Sequence, residues 1–182
     1  MATVNGLKFK IRLLGYKPMM FRTIVFPLKV TYREMANIIL EAFRASGGHC
    51  FCFELPDGEV VSFPAESSET PWQDNPIVDE DSGLIPADFH FIYDYGDDWR
   101  FHIRYLGLAE TKEELPLLIN GQGYGIIDDI GGIYGLASYR LKQHSGKIDE
   151  DDFWIDGDID EFDADRCQGD IRDPWDYSSL VY

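Results

Sequence analysis

A strict alternation of basic and apolar side chains over residues 8–13 constrains the fold more than any other feature of the sequence. This period-two pattern is typical of a β-strand with one solvent-exposed face and one buried face. Residues 19–26 are rich in aromatic and β-branched side chains, and we expect them to pair back on the first strand as a hairpin. The chain is therefore predicted to begin with two strands of a sheet that is exposed on one side.

A helix is predicted next. Thr31 and Glu34 have the spacing of a capping box, in which each side chain accepts a hydrogen bond from an otherwise unpaired backbone N–H. Apolar residues then recur at helical spacing up to Phe43. Gly47 and Gly48 are predicted to end this helix.

The middle of the chain predicts two further hairpins. Residues 49–54 and 59–63 are short apolar runs separated by a Pro-Asp-Gly turn, whereas residues 64–88 form a polar, proline-containing connector. Strands are expected at 89–95 and 101–105, with a turn at Gly96 to Asp98 between them.

The remainder is predicted to be less regular. Residues 107–134 are glycine-rich and indicate loops, a helix is expected from Leu136 to about His144, and residues 149–182 form an acidic C-terminal appendage with short helices. The 182 residues thus predict a single α+β domain with a mainly antiparallel or mixed sheet and a grasp-like first half, strand-strand-helix-strand.

The charge distribution bears on partners. The chain carries 16 basic and 33 acidic residues, a net charge of −17, which disfavours nucleic acid as a partner. The first strand nevertheless places its basic residues on one face, and so does the strand that follows the turn at Gly96 to Asp98. If these strands are neighbours, one stripe could bind nucleic acid or an acidic segment, or could simply be a solvated face: Lys8, Lys10, Arg12, Arg100, His102 and Arg104.

Cysteine usage and hydropathy indicate the compartment. Three cysteines cannot build a disulfide framework, and no apolar run reaches the roughly 20 residues that span a bilayer. We therefore expect a cytoplasmic protein with no membrane association. His49, Cys50 and Cys52 could supply soft metal ligands, but a single Cys-x-Cys pair is weak evidence for zinc, and the two cysteines are expected to pack as small hydrophobic residues.

Two acidic turns are the candidate functional site. The sequence YDYGDDW at residues 93–99 and IIDDIGG at residues 126–132 contribute five carboxylates: Asp94, Asp97, Asp98, Asp128 and Asp129. If the fold brings the turns together, their oxygen atoms could bind a divalent cation, although Asp and Gly are also what such turns require in themselves.

These motifs resemble the plasmid pRiA4b open-reading-frame-three-like family over most of the chain. The segment KPMMFR at residues 17–22 is similar to the family's Lys-Pro-x-x-Trp-Arg, and the first helix followed by His49 fits its next block. YDYGDDW is similar to Tyr-Asp-Phe-Gly-Asp-x-Trp, and IIDDIGGIYG at residues 126–135 resembles Pro-Pro-Glu-Asp-x-Gly-Gly-x-x-Gly.

The resemblance implies an α+β fold and an association with plasmids and mobile elements, without an established reaction. It adds Arg22, His49, Trp99, Gly131 and Gly132 to the five aspartates as candidate binding residues. The chain also departs from the pattern, because Phe101, Gly125 and Ile130 stand where many members carry His or Cys. A metal role that depends on those groups does not carry over.

Three classes of function follow from these observations. The leading hypothesis is an accessory or binding domain that presents the two acidic turns to a protein partner, because no set of catalytic nucleophiles is recognisable. No cofactor is expected. The first alternative is a divalent-metal-dependent hydrolase or phosphoryl-transfer enzyme that uses the aspartates. The second is a protein that binds or mimics nucleic acid.

Overall fold

The computed structural model describes residues 3–63, 75–78, 83–153 and 155–174. Part of the predicted connector, 64–74 and 79–82, and the last residues of the appendage, 175–182, lie outside the described residues. The elements are β1 Val4–Leu13, β2 Phe21–Pro27, α1 Tyr32–Ala42, β3 Phe51–Glu54, β4 Val60–Phe63, β5 Asp88–Tyr93, β6 Trp99–Thr111, β7 Leu117–Gln122, α2 Gly132–His144 and α3 Ala164–Arg172.

The seven strands form one sheet in the order β4-β3-β5-β6-β1-β2-β7, and every pairing is antiparallel. The predicted α+β class is confirmed, including the strand-strand-helix-strand order of the first half. Alternation in β1 works as expected, because Leu7, Phe9 and Ile11 are buried whereas the basic residues between them lie on the opposite face.

The first helix shows its predicted capping box. The Thr31 hydroxyl accepts from the Glu34 N–H, and the Glu34 carboxylate accepts from the Thr31 N–H at 2.9 Å. The helix ends at Ala42, however, before the predicted glycine stop. Arg44 takes a left-handed conformation at φ 59° and turns the chain there.

The prediction of a loop-rich segment over residues 107–134 was correct for 112–116 and 123–131 and wrong for the rest. β6 continues to Thr111, past an irregularity in its pairing with β1, where Gly107 adopts φ 107°. β7 then pairs with β2 as an edge strand. The Asn and Gly residues of β7 are typical of loops, so its composition did not predict a strand. An edge strand can carry such residues because it exposes more of its length and needs fewer apolar residues.

Smaller differences concern element ends. Tyr95, predicted to continue β5, lies in the turn and is 55% exposed. β2 begins at Phe21 instead of residue 19, and α2 begins at Gly132 instead of Leu136.

The core lies between one face of the sheet and the helices. The ring of Phe43, just after α1, packs at 4.7 Å from Phe101 of β6, and Tyr32 packs at 5.2 Å from Phe53 of β3. α3 packs on α1 and β7, with Cys167 and Ile171 buried. None of the described helices is long and apolar enough to cross a membrane.

The acidic appendage docks through its carboxylates. Asp156 accepts hydrogen bonds from Tyr124, Arg44 and Arg166, and these hold the pKa of its carboxyl group below the usual range. Asp160 forms a bidentate pair with Arg140 of α2. Part of the acidic charge therefore pairs with the domain instead of remaining free in water.

Candidate functional site

The two acidic turns lie side by side. The Asp97 Oδ2 atom accepts a hydrogen bond from the Gly131 N–H at 3.2 Å, which joins the β5–β6 turn to the loop before α2. A Cβ atom at Gly132 would lie 2.3 Å from the Asp97 carbonyl oxygen, so the two backbones touch at this point. The predicted juxtaposition of the turns is observed.

Aspartate residues shape both turns. Asp94, Asp98 and Asp129 adopt left-handed conformations with φ between 53° and 60°, which Asp tolerates better than most residues. The Asp94 Oδ1 atom accepts from the Gly96 N–H at 2.9 Å, and its carbonyl oxygen accepts from the Asp98 N–H. This tight turn fixes the direction of the Asp94 carboxylate.

Besides Asp94, which accepts from the Gly96 N–H, three of the five predicted carboxylates make structural contacts. Asp97 holds Gly131, Asp98 pairs with Arg100 at 2.9 Å, and the Asp128 Oδ2 atom accepts from the Ser46 N–H. The five side chains therefore do not converge as one acidic group, because the turns use most of them to hold themselves together.

Asp94, through its second oxygen Oδ2, and Asp129 converge on His49. The His49 Nε2 atom lies 3.8 Å from Asp94 Oδ2 and 3.6 Å from Asp129 Oδ1, and the ligand atoms of the three residues lie within 4.8 Å of one another. The side chain of Asp94 is 10% exposed, that of His49 32% and that of Asp129 75%. The cluster is thus buried at Asp94 and open to solvent at Asp129, which forms its exposed rim.

Tyr93 supports this cluster from below. Its hydroxyl accepts from the Gly47 N–H at 3.1 Å, and its ring packs edge-on against the His49 imidazole. Burial, followed by the charge of Asp128, raises the pKa of Tyr93, so the phenol stays protonated. The Asp128 carboxylate is hydrogen-bonded to the Tyr93 side chain, and its Oδ1 atom is buried.

Two residues added by the resemblance lie in the core. Trp99 is fully buried, and its indole N–H lacks a partner among the described residues. The Arg22 guanidinium, also buried, donates five hydrogen bonds to backbone carbonyls, those of Phe21, Ala42, Gln122, Gly123 and Tyr124. It lies between the rings of Phe43 and Phe162, and burial lowers its pKa to about 10.

Gly131 and Gly132 form the start of α2. Gly131 is the N-cap residue at φ 89°, and Gly132 provides the space for the Asp97 carbonyl. Because Asp97 lies at this helix N-terminus, its negative charge is favourably placed in the helix dipole.

The predicted basic stripe also forms. β1 and β6 are neighbours, with Lys10 opposite Arg104 and Arg12 opposite His102. Carboxylates neutralise part of it, because Asp88 accepts from Arg104 and His102, and Asp98 from Arg100. The hydrogen bond from Arg104 keeps the pKa of Asp88 low.

A second cluster joins His144 to Asp158 and Asp160, at 3.5 and 3.4 Å from the Nε2 atom. Asp160 is already bound by Arg140, so a cation placed there would have to displace a guanidinium group. Cys52 is buried on β3 and Cys50 is partly exposed just before it. Neither cysteine belongs to a cluster of metal-binding groups among the described residues.

The fold and site define a small α+β domain with an antiparallel sheet and a His-Asp-Asp cluster where two turns meet. The sequence matches the model of the plasmid pRiA4b ORF-3-like protein family over residues 5–170, and the chain belongs to this family. No curated protein matches the sequence.

A solved structure shares the fold. It is the crystal structure of protein of unknown function MM3350 from Methanosarcina mazei Go1, with a TM-score of 0.66 and 24% sequence identity. The match covers 89% of this chain and 96% of the other.

Of the His49-Asp94-Asp129 cluster, the two aspartates were predicted from the acidic turns. His49 was considered as a soft ligand only together with Cys50 and Cys52, and was added to the candidate residues through the family pattern. It lies 45 positions before Asp94, and only the pairing of β3 with β5 brings the two strand ends together.

Proposed function

We propose that this protein is a binding domain that holds a divalent transition-metal ion at the His49-Asp94-Asp129 cluster and presents it to a partner. The convergence of one imidazole and two carboxylates from three separate chain segments carries the proposal. Imidazole with carboxylate favours Zn²⁺ or Mn²⁺ over Mg²⁺ or Ca²⁺, which prefer oxygen ligands alone.

Binding of an ion would draw the three ligand atoms closer together than they lie in this structure. Ligand atoms around one such ion are about 3 to 3.5 Å apart, given metal–ligand distances of about 2.0 to 2.2 Å. The His49 to Asp129 separation of 3.6 Å and the His49 to Asp94 separation of 3.8 Å are slightly longer. Asp129, which is exposed, can close that difference more easily than the buried Asp94.

The exposed rim supports a role in binding a partner. With three protein ligands, a tetrahedral ion would keep one coordination position for a further group, and the exposed side chain of Asp129 marks the side that solvent reaches. A carboxylate or phosphate oxygen of a partner could fill that position. The family description names a plasmid open reading frame, which supports an association with mobile DNA.

Calorimetric titration with Zn²⁺, Mn²⁺, Mg²⁺ and Ca²⁺ tests the cation site. We expect one Zn²⁺ or Mn²⁺ ion per chain, with binding lost in His49→Ala and Asp129→Asn. His144→Ala is the matched control, because His144 faces two aspartates in the other cluster. No heat with any ion, or an equal loss in His144→Ala, would contradict the proposal.

The role in partner binding needs its own test. The metal-loaded and chelator-treated protein would be immobilised and exposed to an extract of the source cells. A partner retained by the loaded wild-type protein but not by Asp129→Asn supports the proposal. Retention that is independent of both metal and Asp129 would contradict the assigned role of the cluster.

A second candidate function is metal-dependent hydrolysis. It is favoured by the Asp128 carboxylate, which precedes Asp129 in the same loop, interacts with the Tyr93 hydroxyl and could accept a proton. Hydrolysis of a phosphodiester such as bis(p-nitrophenyl) phosphate, dependent on Zn²⁺ or Mn²⁺ and abolished in both His49→Ala and Asp128→Asn, would support the enzyme. Metal binding without turnover would favour the binding domain.

A further inference from the structure

A cavity of about 650 Å³ opens at the end of β3 and β5 that is opposite the acidic turns. It lies between the β3–β4 turn, the start of α1 and the described parts of the connector. Most of its wall is apolar and includes Leu55, Val61, Ile77, Val78 and Ile85. Its size falls within the range of about 300 to 1,000 Å³ that is usual for small-molecule sites.

The walls of this cavity are fixed by backbone hydrogen bonds. The Tyr32 N–H donates to the Asn75 carbonyl and the Ile77 N–H to the Val30 carbonyl, which attach the connector to the start of α1. On the opposite side the Leu55 N–H donates to the Glu59 carbonyl and closes the β3–β4 turn. The Tyr105 N–H donates to the Ala87 carbonyl and holds the third wall.

The charge at this cavity has one sign. Asp57 and Glu59 are the charged residues among its described lining, which contains no Lys, Arg or His. Burial, then the charges of Glu59 and Asp57, raise the pKa of Tyr32 to about 12. Both carboxylates therefore act electrostatically on the Tyr32 hydroxyl at the cavity wall.

We propose that this cavity binds a small organic cation, with its apolar body against the Leu55-Val61-Ile77 wall and its ammonium head beside Asp57 and Glu59. An apolar body gains from removal of its surface from water. A positive head is attracted by both carboxylates, whereas an anionic head of the same size would be repelled. The cavity is distinct from the His49-Asp94-Asp129 cluster and does not depend on it.

Three probes of equal chain length separate the contribution of the apolar chain to the affinity from that of the charged head group. Octylammonium, octanol and octanoate would each be titrated below their aggregation limits while backbone amide shifts are followed by NMR. We expect octylammonium to bind more tightly than octanol and octanoate least tightly, with shifts concentrated at residues 55–61 and 75–78. Equal affinity for octanoate, or no saturable shift with any probe, would overturn the proposal.

Variants locate the site. Asp57→Asn combined with Glu59→Gln is expected to weaken the binding of octylammonium about threefold to tenfold, because two partly exposed charge contacts are lost. The affinity for octanol should not change. Val61→Trp, which fills the cavity, should abolish binding of both probes. Glu54→Gln is the matched control, because this carboxylate lies on the same hairpin but outside the cavity lining. An effect of Glu54→Gln equal to that of the double variant, or unchanged binding in Val61→Trp, would also overturn the proposal.

Discussion

Asp97 and Gly131 are hydrogen-bonded across two turns that lie 34 residues apart in the sequence. This contact, together with the close approach at Gly132, places Asp129 opposite His49 and Asp94. The geometry of the His49-Asp94-Asp129 cluster therefore depends on Asp97, a side chain outside the cluster.

The first prediction concerns this junction. Gly132→Ala should destabilise the protein by about 1 to 3 kcal/mol, because φ is +64° and the new Cβ would meet the Asp97 carbonyl oxygen. Zn²⁺ or Mn²⁺ affinity should fall as well, since the loop carrying Asp129 must shift. Urea unfolding and calorimetric titration measure the two effects.

Two substitutions of Asp97 test the same junction from the side of the hydrogen-bond acceptor. Asp97→Asn retains an oxygen acceptor for the Gly131 N–H and should keep cation affinity close to wild type. Asp97→Ala removes the acceptor and should cost about 1 kcal/mol of stability. Equal cation affinities in wild type and Asp97→Ala would show that the junction does not position Asp129.

Replacement of two helical glycines by alanine should change the stability of the protein in opposite directions. Gly169 in α3 is exposed, and a Cβ added there would have nothing within 4 Å, so Gly169→Ala should stabilise the protein by about 0.5 to 1 kcal/mol. A Cβ at Gly135 in α2 would lie 1.8 Å from the Ile130 carbonyl oxygen, so Gly135→Ala should destabilise it. Denaturant midpoints compare the two, and the same sign for both would refute the proposed packing of α2 on the 128–132 loop.

Arg22 is expected to be essential for stability. Its five hydrogen bonds connect β2 to the end of α1 and to the segment after β7, so Arg22→Met should cost at least about 3 kcal/mol by leaving buried carbonyls unpaired. Arg22→Lys should recover only part of this, because an ammonium group has three donors. Arg12→Met, on the open sheet face, is the control and should change stability by no more than about 0.5 kcal/mol. A small effect of Arg22→Met in chemical denaturation would contradict this structural role.

The local signals in the sequence were sufficient for most elements. The capping box at Thr31 and Glu34 and the alternation in β1 depend on neighbouring residues alone, and both were predicted. β7 was missed because its pairing with β2, and not its own composition, makes it a strand. Long-range pairing of this kind leaves little trace in a single sequence.

The site was only partly predictable for the same reason. The turn motifs identified five aspartates, but the sequence does not show that Arg100 and the Ser46 and Gly131 N–H groups occupy three of them. Arg22 carries a charge and matched a family motif, yet its partners are carbonyls that only the folded chain brings together. Burial and pairing decide which polar residues remain available, and both are properties of the tertiary structure.

Buried tyrosines predict a loss of stability at alkaline pH. Burial raises the pKa of Tyr16 and Tyr32 to about 12 from 10.0, so the folded protein retains protons that the unfolded chain releases. The tyrosine contribution to the free energy of unfolding should therefore be constant below pH 10 and decrease as the pH rises toward 12. Far-UV circular dichroism and tyrosinate absorbance, followed together, should show ionisation of these phenols coupled to unfolding.

Tyr16→Phe isolates one of these groups. The Tyr16 hydroxyl is buried and unpaired among the described residues, so its removal should leave stability at neutral pH unchanged or raise it by up to about 1 kcal/mol. Because the variant has no phenol to ionise at this position, its free energy of unfolding should fall less steeply above pH 10. An identical alkaline profile for the variant and wild type would mean that the Tyr16 phenol ionises without unfolding, and that burial does not hold its proton in the folded state.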